Sequence, residues 1–245
     1  MTEEPYRWLE AVANRRDYVR EQLKGGSPVF AASLADGILL LGVGSGQSKV
    51  FELFDRHALA GLGHPADLEK IRQAAIDAAH TEAFTRAPED VSLRRLVSFG
   101  LSPQLKTNFE QIFSAPFLIE LLLAEVGESV EQDLLIRLHF DGAFQMPRGV
   151  AVVASHAETE EAAQKWLAGQ LRAGDSRERA AELMMQAWWC LTAGKPFGDA
   201  VPDEPARREG WRSAVQDRVL EAGWLARRAP RAARYEALSR AKLGL

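Results

Sequence analysis

The sequence has almost no cysteine and no apolar run long enough to cross a membrane. Its single cysteine, Cys190, excludes an internal disulfide and argues against a cysteine-based metal site, so the expected compartment is reducing. The longest apolar stretches, 37–43 and 117–126, have the length of buried strands. Residues 1–24 are charged throughout, which predicts no secretory signal. We therefore expect a cytoplasmic protein with no membrane partner.

An excess of charge of one sign is also missing. The chain has 30 Lys and Arg against 34 Asp and Glu, a formal net charge of -4, so no nucleic-acid partner is expected. The C-terminal part is the exception, because arginines cluster there. Acidic and apolar residues interrupt this cluster, which favours solvated strand and turn positions over a polyanion site. The arginines are Arg207, Arg208, Arg212, Arg218, Arg227, Arg228, Arg231, Arg234 and Arg240.

The spacing of apolar residues predicts the order of helices and strands. A leading amphipathic helix over 5–24 begins at Pro5 and ends before the Gly25-Gly26 pair. The 195–210 segment is polar and contains prolines, which predicts one long loop. The predicted strands lie at 29–34, 37–43, 50–54, 58–62, 117–126, 134–140, 150–155, 218–226 and 234–239. The other predicted helices lie at 66–83, 90–113 with an interruption at Gly100 and Pro103, 158–171 and 176–191.

This order is a helix, strands, two helices, strands, two helices and strands. It lacks the strict strand–helix alternation of a doubly wound parallel sheet. Two stacked sheets between helix pairs fit it better, which is an α+β architecture. We expect one domain over 1–245, because no repeat or low-complexity stretch divides the chain.

The familiar ligand and cofactor motifs are not matched. The glycine-rich segment 42–49 follows a predicted strand, but Val50 stands where a phosphate loop needs a hydroxyl residue after the lysine. The same segment has Gln47 where a dinucleotide fingerprint needs its third glycine. The histidines show no metal-ligand spacing, and strand alternation does not place Glu120, Glu125 and Glu128 on one face. No cofactor or metal is therefore expected.

After the leading helix come a small-residue step at Gly26-Ser27, the strand at 29–34, an Asp36-Gly37 turn, the apolar strand at 38–43 and the segment 49–56, which begins with a lysine. This order resembles the start of a proteasome α-type subunit, a branch of the N-terminal-nucleophile hydrolase fold. The resemblance covers most of the chain, except the 195–210 segment and the extreme termini. It implies a four-layer αββα sandwich. Among proteasome α subunits, the chain resembles those of actinobacteria most. The residues that carry it are Gly26-Ser27, 29–34, Asp36-Gly37, 38–43, 49–56, 60–63, 67–72, Asp90-Val91, Pro116-Phe117, 120–127, 136–142 and 220–235.

The resemblance also locates the positions that carry hydrolysis in the catalytic β-type relatives. There a threonine with a free amine is assisted by a carboxylate and a lysine. The nucleophile position falls on Ser27, the carboxylate position near Val43, and the lysine position on Lys49. A predicted helix precedes Ser27 and Pro28 follows it, so we expect no catalysis by this chain. The alternative is cleavage between Gly26 and Ser27, which would expose a serine nucleophile and make the chain an active hydrolase.

In proteasome α subunits the lysine at this position binds the C-terminal carboxylate of a docking activator. The resemblance therefore implies that Lys49 docks an activator, with Gly63 and His64 at the pocket wall. The alternative is that Lys49 caps a loop with its ammonium group in water. The implied partners are copies of the chain itself in a heptameric outer ring, a ring of β-type subunits, and a ring ATPase or other activator. A further alternative is a stand-alone homo-oligomeric ring.

The resemblance implies, finally, that residues ahead of the leading helix gate the pore of the ring. Only 1–4 precede Pro5, so either the gate is minimal or the pore is controlled otherwise.

Overall fold

The computed structural model describes residues 4–229 and 233–245. Its strands are β1 (Val29–Leu34), β2 (Gly37–Gly44), β3 (Val50–Phe54), β4 (His57–Gly63), β5 (Ile119–Glu125), β6 (Leu134–His139), β7 (Phe144–Gln145), β8 (Val150–Val153), β9 (Val219–Ala226) and β10 (Tyr235–Leu238). Its α-helices are α1 (Glu4–Leu23), α2 (Pro65–Thr85), α3 (Leu93–Arg95), α4 (Ser102–Glu110), α5 (Ala157–Gln170), α6 (Arg177–Thr192) and α7 (Glu204–Ala214).

The strands form two five-stranded antiparallel sheets. One has the order β10-β9-β2-β1-β8, and the other has the order β3-β4-β5-β6-β7. Within β1 and β2 every residue is buried, because both faces of the first sheet are covered. That double burial explains why these strands are continuous apolar runs rather than alternating ones.

The two sheets pack face to face, and each carries helices on its outer face. Ile38 and Leu40 of β2 point to the second sheet and meet a buried cluster there that includes Leu122. Leu39 and Leu41 point the other way, into the cluster formed with α5 and α6. On the far side, Leu59, Leu121 and Leu123 of the second sheet pack with α2 and α4. The predicted α+β, four-layer αββα sandwich is confirmed.

Helix α1 covers one end of the sandwich. Val19 and Leu23 are buried in the cluster between the sheets. Arg15 fixes the helix by donating hydrogen bonds to the carbonyl oxygens of Ser114 (2.7 Å) and Asn108 (3.1 Å). The predicted leading helix is therefore present, while residues 1–3 of the expected gate segment lie outside the described residues.

The prediction of an interruption at Gly100 and Pro103 is wrong. A π-helical segment, Leu96–Leu101, joins α3 directly to α4. The Ser102 N–H bonds to the Val97 carbonyl five residues back, and the next residue, proline, needs no acceptor. The helix ends at Glu110, earlier than predicted.

The prediction of a loop over 195–210 is also wrong, because α7 begins at Glu204 and occupies the second half of the segment. Asp203 caps this helix by accepting a hydrogen bond from the Ala206 N–H (3.0 Å). Proline near the start of a helix is well tolerated, so Pro205 does not oppose it.

Two of the clustered arginines are buried, against the prediction of solvated positions. Arg207 is 9% exposed and Arg227 is 7% exposed. Arg227 donates to both Asp133 carboxylate oxygens, at 2.7 and 2.8 Å, and also bonds backbone carbonyl oxygens. Arg231 lies outside the described residues.

None of the helices in the described ranges combines the length and apolarity that a membrane crossing requires.

Candidate functional site

A cavity of about 270 Å³ opens where the start of β1, the β2–β3 loop and the start of α2 meet. Of the three positions that correspond to the catalytic set of β-type relatives, Ser27 and Lys49 line the cavity. Gly63, expected at the pocket wall, lines it as well. The whole lining is Gly25, Gly26, Ser27, Gly44, Ser45, Gln47, Ser48, Lys49, Gly61, Gly63, Pro65, Leu68 and Arg218. The site therefore joins segments that are far apart in sequence.

Ser27 lies between the end of α1 and the start of β1, and both of its oxygens accept hydrogen bonds. The Trp188 indole N–H donates to the hydroxyl oxygen (2.9 Å), and the Lys49 ammonium donates to the carbonyl oxygen (3.1 Å). Gly26 is held by its N–H bond to the Leu23 carbonyl (2.8 Å). A Cβ on Gly26 would lie 2.6 Å from Cγ of Leu62, so the segment before Ser27 packs tightly into the body of the protein.

Val43 does not line the cavity. Its side chain is fully buried on the helix-facing side of the first sheet, in the same apolar cluster as Leu41 and Trp188. A carboxylate at this position would be desolvated, which costs free energy unless a partner compensates it.

Lys49 is the half-buried cation of the cavity. Its backbone N–H donates to a carboxylate oxygen of Glu221 (2.8 Å), and the Val50 N–H donates to the same oxygen (3.3 Å). Burial lowers the pKa of the Lys49 ammonium, the Glu221 carboxylate opposes this by raising it, and Arg218 lowers it further. The side chain is thus a desolvated cation held against the Ser27 carbonyl.

Gly63 and His64 end β4 and begin α2 beside the cavity. Gly63 has φ of +133°, and a Cβ there would overlap the carbonyl oxygen of Leu118, so glycine is required. His64 is not among the lining residues. Its Nδ1 accepts a hydrogen bond from the Ala66 N–H (3.3 Å) and caps α2.

The structure does not gather Glu120, Glu125 and Glu128 into one site. Glu120 bonds His139 (2.8 Å), whereas Glu125 faces Arg56 (3.2 Å) from the other side of β5. Burial of the Glu120 carboxyl raises its pKa, and the Glu120 hydrogen bond raises that of His139.

Sequence reasoning did not connect three residues with this site: Arg218, which lines the cavity, and Trp188 and Glu221, which bond Ser27 and Lys49. Each lies more than a hundred residues from its partner near Ser27 or Lys49. Trp188 belongs to a helical apolar stripe, Arg218 directly precedes β9, and Glu221 lies within β9. The contact of α6 with the first sheet brings Trp188 to Ser27, and the pairing of β9 with β2 brings Glu221 to Lys49.

Two stacked antiparallel sheets between helix pairs, with a lysine and a serine meeting at the start of β1, define the class of N-terminal-nucleophile hydrolase sandwiches. No protein-family profile matches the chain. Curated relatives do match it. The proteasome subunit alpha of Renibacterium salmoninarum is 30% identical over 167 residues, which is 65% of this chain and 67% of that protein.

The proteasome subunit alpha of Paenarthrobacter aurescens is 33% identical over 154 residues, 61% of this chain and 63% of that protein. That of a Nocardioides species is 32% identical over 152 residues, 61% of this chain and 59% of that protein. The chain belongs to the proteasome α-subunit family. The matched part spans about three fifths of the length of these last two relatives.

Proposed function

We propose that this chain is a non-catalytic α-type subunit of a proteasome core particle. It forms an outer ring with copies of itself, expected to be heptameric, that stacks on a ring of β-type subunits in the cytoplasm. The ring gates substrate entry and docks a ring ATPase or other activator. The observation that carries the docking role is the desolvated Lys49 ammonium at the wall of an open cavity.

The contacts of Ser27 and Val43 support a non-catalytic role. A nucleophile of this class uses its own free amine, and here the Ser27 nitrogen is bonded to Gly26, which packs against Leu62. Val43 offers no carboxylate to orient Lys49. The Lys49 ammonium bonds the Ser27 carbonyl and not the hydroxyl, so it does not assist proton removal.

The cavity itself supports capture of a chain-terminal carboxylate. An ammonium that is held in a confined, partly dry space attracts an anion more strongly than one in water. In this proposal Lys49 binds the carboxylate, Gly63 shapes the wall, and His64 holds the adjacent start of α2.

The mass of the intact chain after co-expression with a candidate β-type subunit tests the non-catalytic role. We expect the chain to keep residues 1–26. A wild-type chain that starts at Ser27, together with a Ser27→Ala chain that stays whole, would establish the rival hydrolase.

Native mass spectrometry with and without the candidate β-type subunit tests the assembly. We expect a mixed particle with stacked rings. A ring that forms from this chain alone and excludes each β-type candidate would favour a stand-alone homo-oligomer.

A further inference from the structure

A second cation, Arg218, stands at the rim of the Lys49 cavity. It lies in the turn between α7 and β9, where its N–H bonds to the carbonyl of the buried Val215 (3.1 Å). Its guanidinium carbon lies 5.6 Å from the ring centroid of Trp188. Stacking on an aromatic face restrains an arginine head without consuming its hydrogen-bond donors.

The charges around the cavity are unbalanced. The lining residues include Lys49 and Arg218 and no carboxylate. Glu221 is the nearby acid, but one of its oxygens accepts from the backbone N–H groups of Lys49 and Val50. Arg218 makes no ion pair with any residue in the described ranges. Even with the negative charge of Glu221 counted, the two cations leave an excess of positive charge at the cavity, and Arg218 is exposed at its rim, so the approach of an anion is favoured.

The indole of Trp188 connects this cation to the rest of the site. Its N–H donates a hydrogen bond to the Ser27 hydroxyl oxygen, and the Arg218 guanidinium stacks on its ring. The Ser27 carbonyl in turn holds Lys49. Ser27 is therefore linked to both cations, to Lys49 directly and to Arg218 through the Trp188 ring.

We propose that Arg218 is a second ligand-binding cation, so that the terminal carboxylate of a docking peptide is shared between its guanidinium and the Lys49 ammonium. The inference rests on the proposed docking function and deepens it. A guanidinium presents parallel N–H donors that fit a carboxylate bidentately, whereas an ammonium acts as a point charge. Together they select a chain end over an internal segment of a peptide.

The test measures binding of a fluorescein-labelled pentapeptide of glycine and leucine with a free C-terminal carboxylate, and of its C-terminal amide. The full chain is compared with its Arg218→Gln, Lys49→Met and Arg212→Gln variants. Arg212 is the matched control, because it also stacks on a tryptophan, Trp211 at 5.4 Å, but does not line the cavity. Size-exclusion chromatography and thermal unfolding verify that assembly and fold are equal.

We expect Arg218→Gln to weaken binding of the acid peptide about tenfold and to leave the weaker amide binding unchanged. Arg218→Lys should recover part of the loss, and Arg212→Gln should have no effect. If Lys49→Met loses the acid peptide while Arg218→Gln binds it as wild type does, the second cation is refuted and docking at Lys49 stands. If neither variant nor amidation changes binding, the docking function itself fails.

Discussion

Replacing Lys49 by methionine separates its binding role from its contribution to stability. The methionine keeps most of the side-chain length and removes the charge. The Lys49 stem passes close to Gly44, where a Cβ would lie 3.7 Å from its Cδ and Cε atoms. An unbranched apolar side chain can keep this packing. The change therefore isolates the ammonium group.

The magnitude follows from two opposing effects. The variant loses the hydrogen bond from the ammonium to the Ser27 carbonyl, a type worth about 1.5–3 kcal/mol when one partner is charged. It regains the free energy spent on desolvating that charge. Because the pKa of Lys49 is lowered, desolvation outweighs the favourable contacts of the charged form. We expect a free energy of unfolding between equal to wild type and about 1 kcal/mol higher.

The pH dependence has a defined sign. The folded pKa of Lys49 lies below the unfolded value of 10.5, so the unfolded chain binds more protons between these two values. Wild-type stability should therefore rise with pH as it approaches 10.5, relative to the variant. The stability advantage of the variant should shrink over this range, and the difference between the two proteins should become independent of pH above it.

Urea unfolding at several alkaline pH values measures both quantities. The control is Lys165→Met, because Lys165 is an exposed lysine on α5 that does not line the cavity. A loss of more than about 2 kcal/mol in the Lys49 variant would refute the reasoning, because it would make the lysine a structural residue.

Three further predictions concern other contacts. Gly63→Ala should lower the free energy of unfolding by about 3 kcal/mol, measured by urea titration, because its backbone conformation has no room for a Cβ. Arg227→Met should cost about 3–5 kcal/mol by leaving the Asp133 carboxylate buried alone, and the double variant Arg227→Met, Asp133→Leu should regain most of it. The pKa of His139 is raised above 6.5 by its bond to Glu120, so this pair stabilises the fold below that pH and loses the contribution as pH rises through the raised pKa. His139→Gln should accordingly cost more stability in acidic than in alkaline thermal melts.

The sheets and their flanking helices could be predicted because their signals are local. β1 and β2 are short continuous apolar runs, and α2 repeats apolar residues at helical spacing from Leu68 to Ala79. Such segments adopt the same structure that their own sequence favours. The π-helical segment that contains Gly100 could not be predicted from local sequence, because the burial of Leu96, Val97 and Leu101 in the fold stabilises the helix there.

Helix α7 shows why the 195–210 prediction failed. Its buried residues are Arg207 and Trp211, so one half of its packing face carries a charge. Arg207 bonds the buried Gln186 side chain (2.8 Å) and lies 5.1 Å from the ring centroid of Trp166. A helix that packs through a paired arginine has no conventional apolar stripe. Asp203 and Pro205 are residues typical of a helix start. Without an apolar stripe after them, they are equally typical of a loop.

The same limit applies to the site. The resemblance pointed to Ser27 and Lys49 through their neighbourhood in the chain, but the partners of these two residues, Trp188 and Glu221, come from distant segments. Because the Trp188 indole N–H donates to the Ser27 hydroxyl and its ring stacks with Arg218, Ser27 is connected through Trp188 to the cation at the rim of the cavity. Ser27→Ala would remove the acceptor of a buried N–H and disturb the support of Arg218. The contacts of Ser27 thus give this serine a structural role, which agrees with the proposed non-catalytic function.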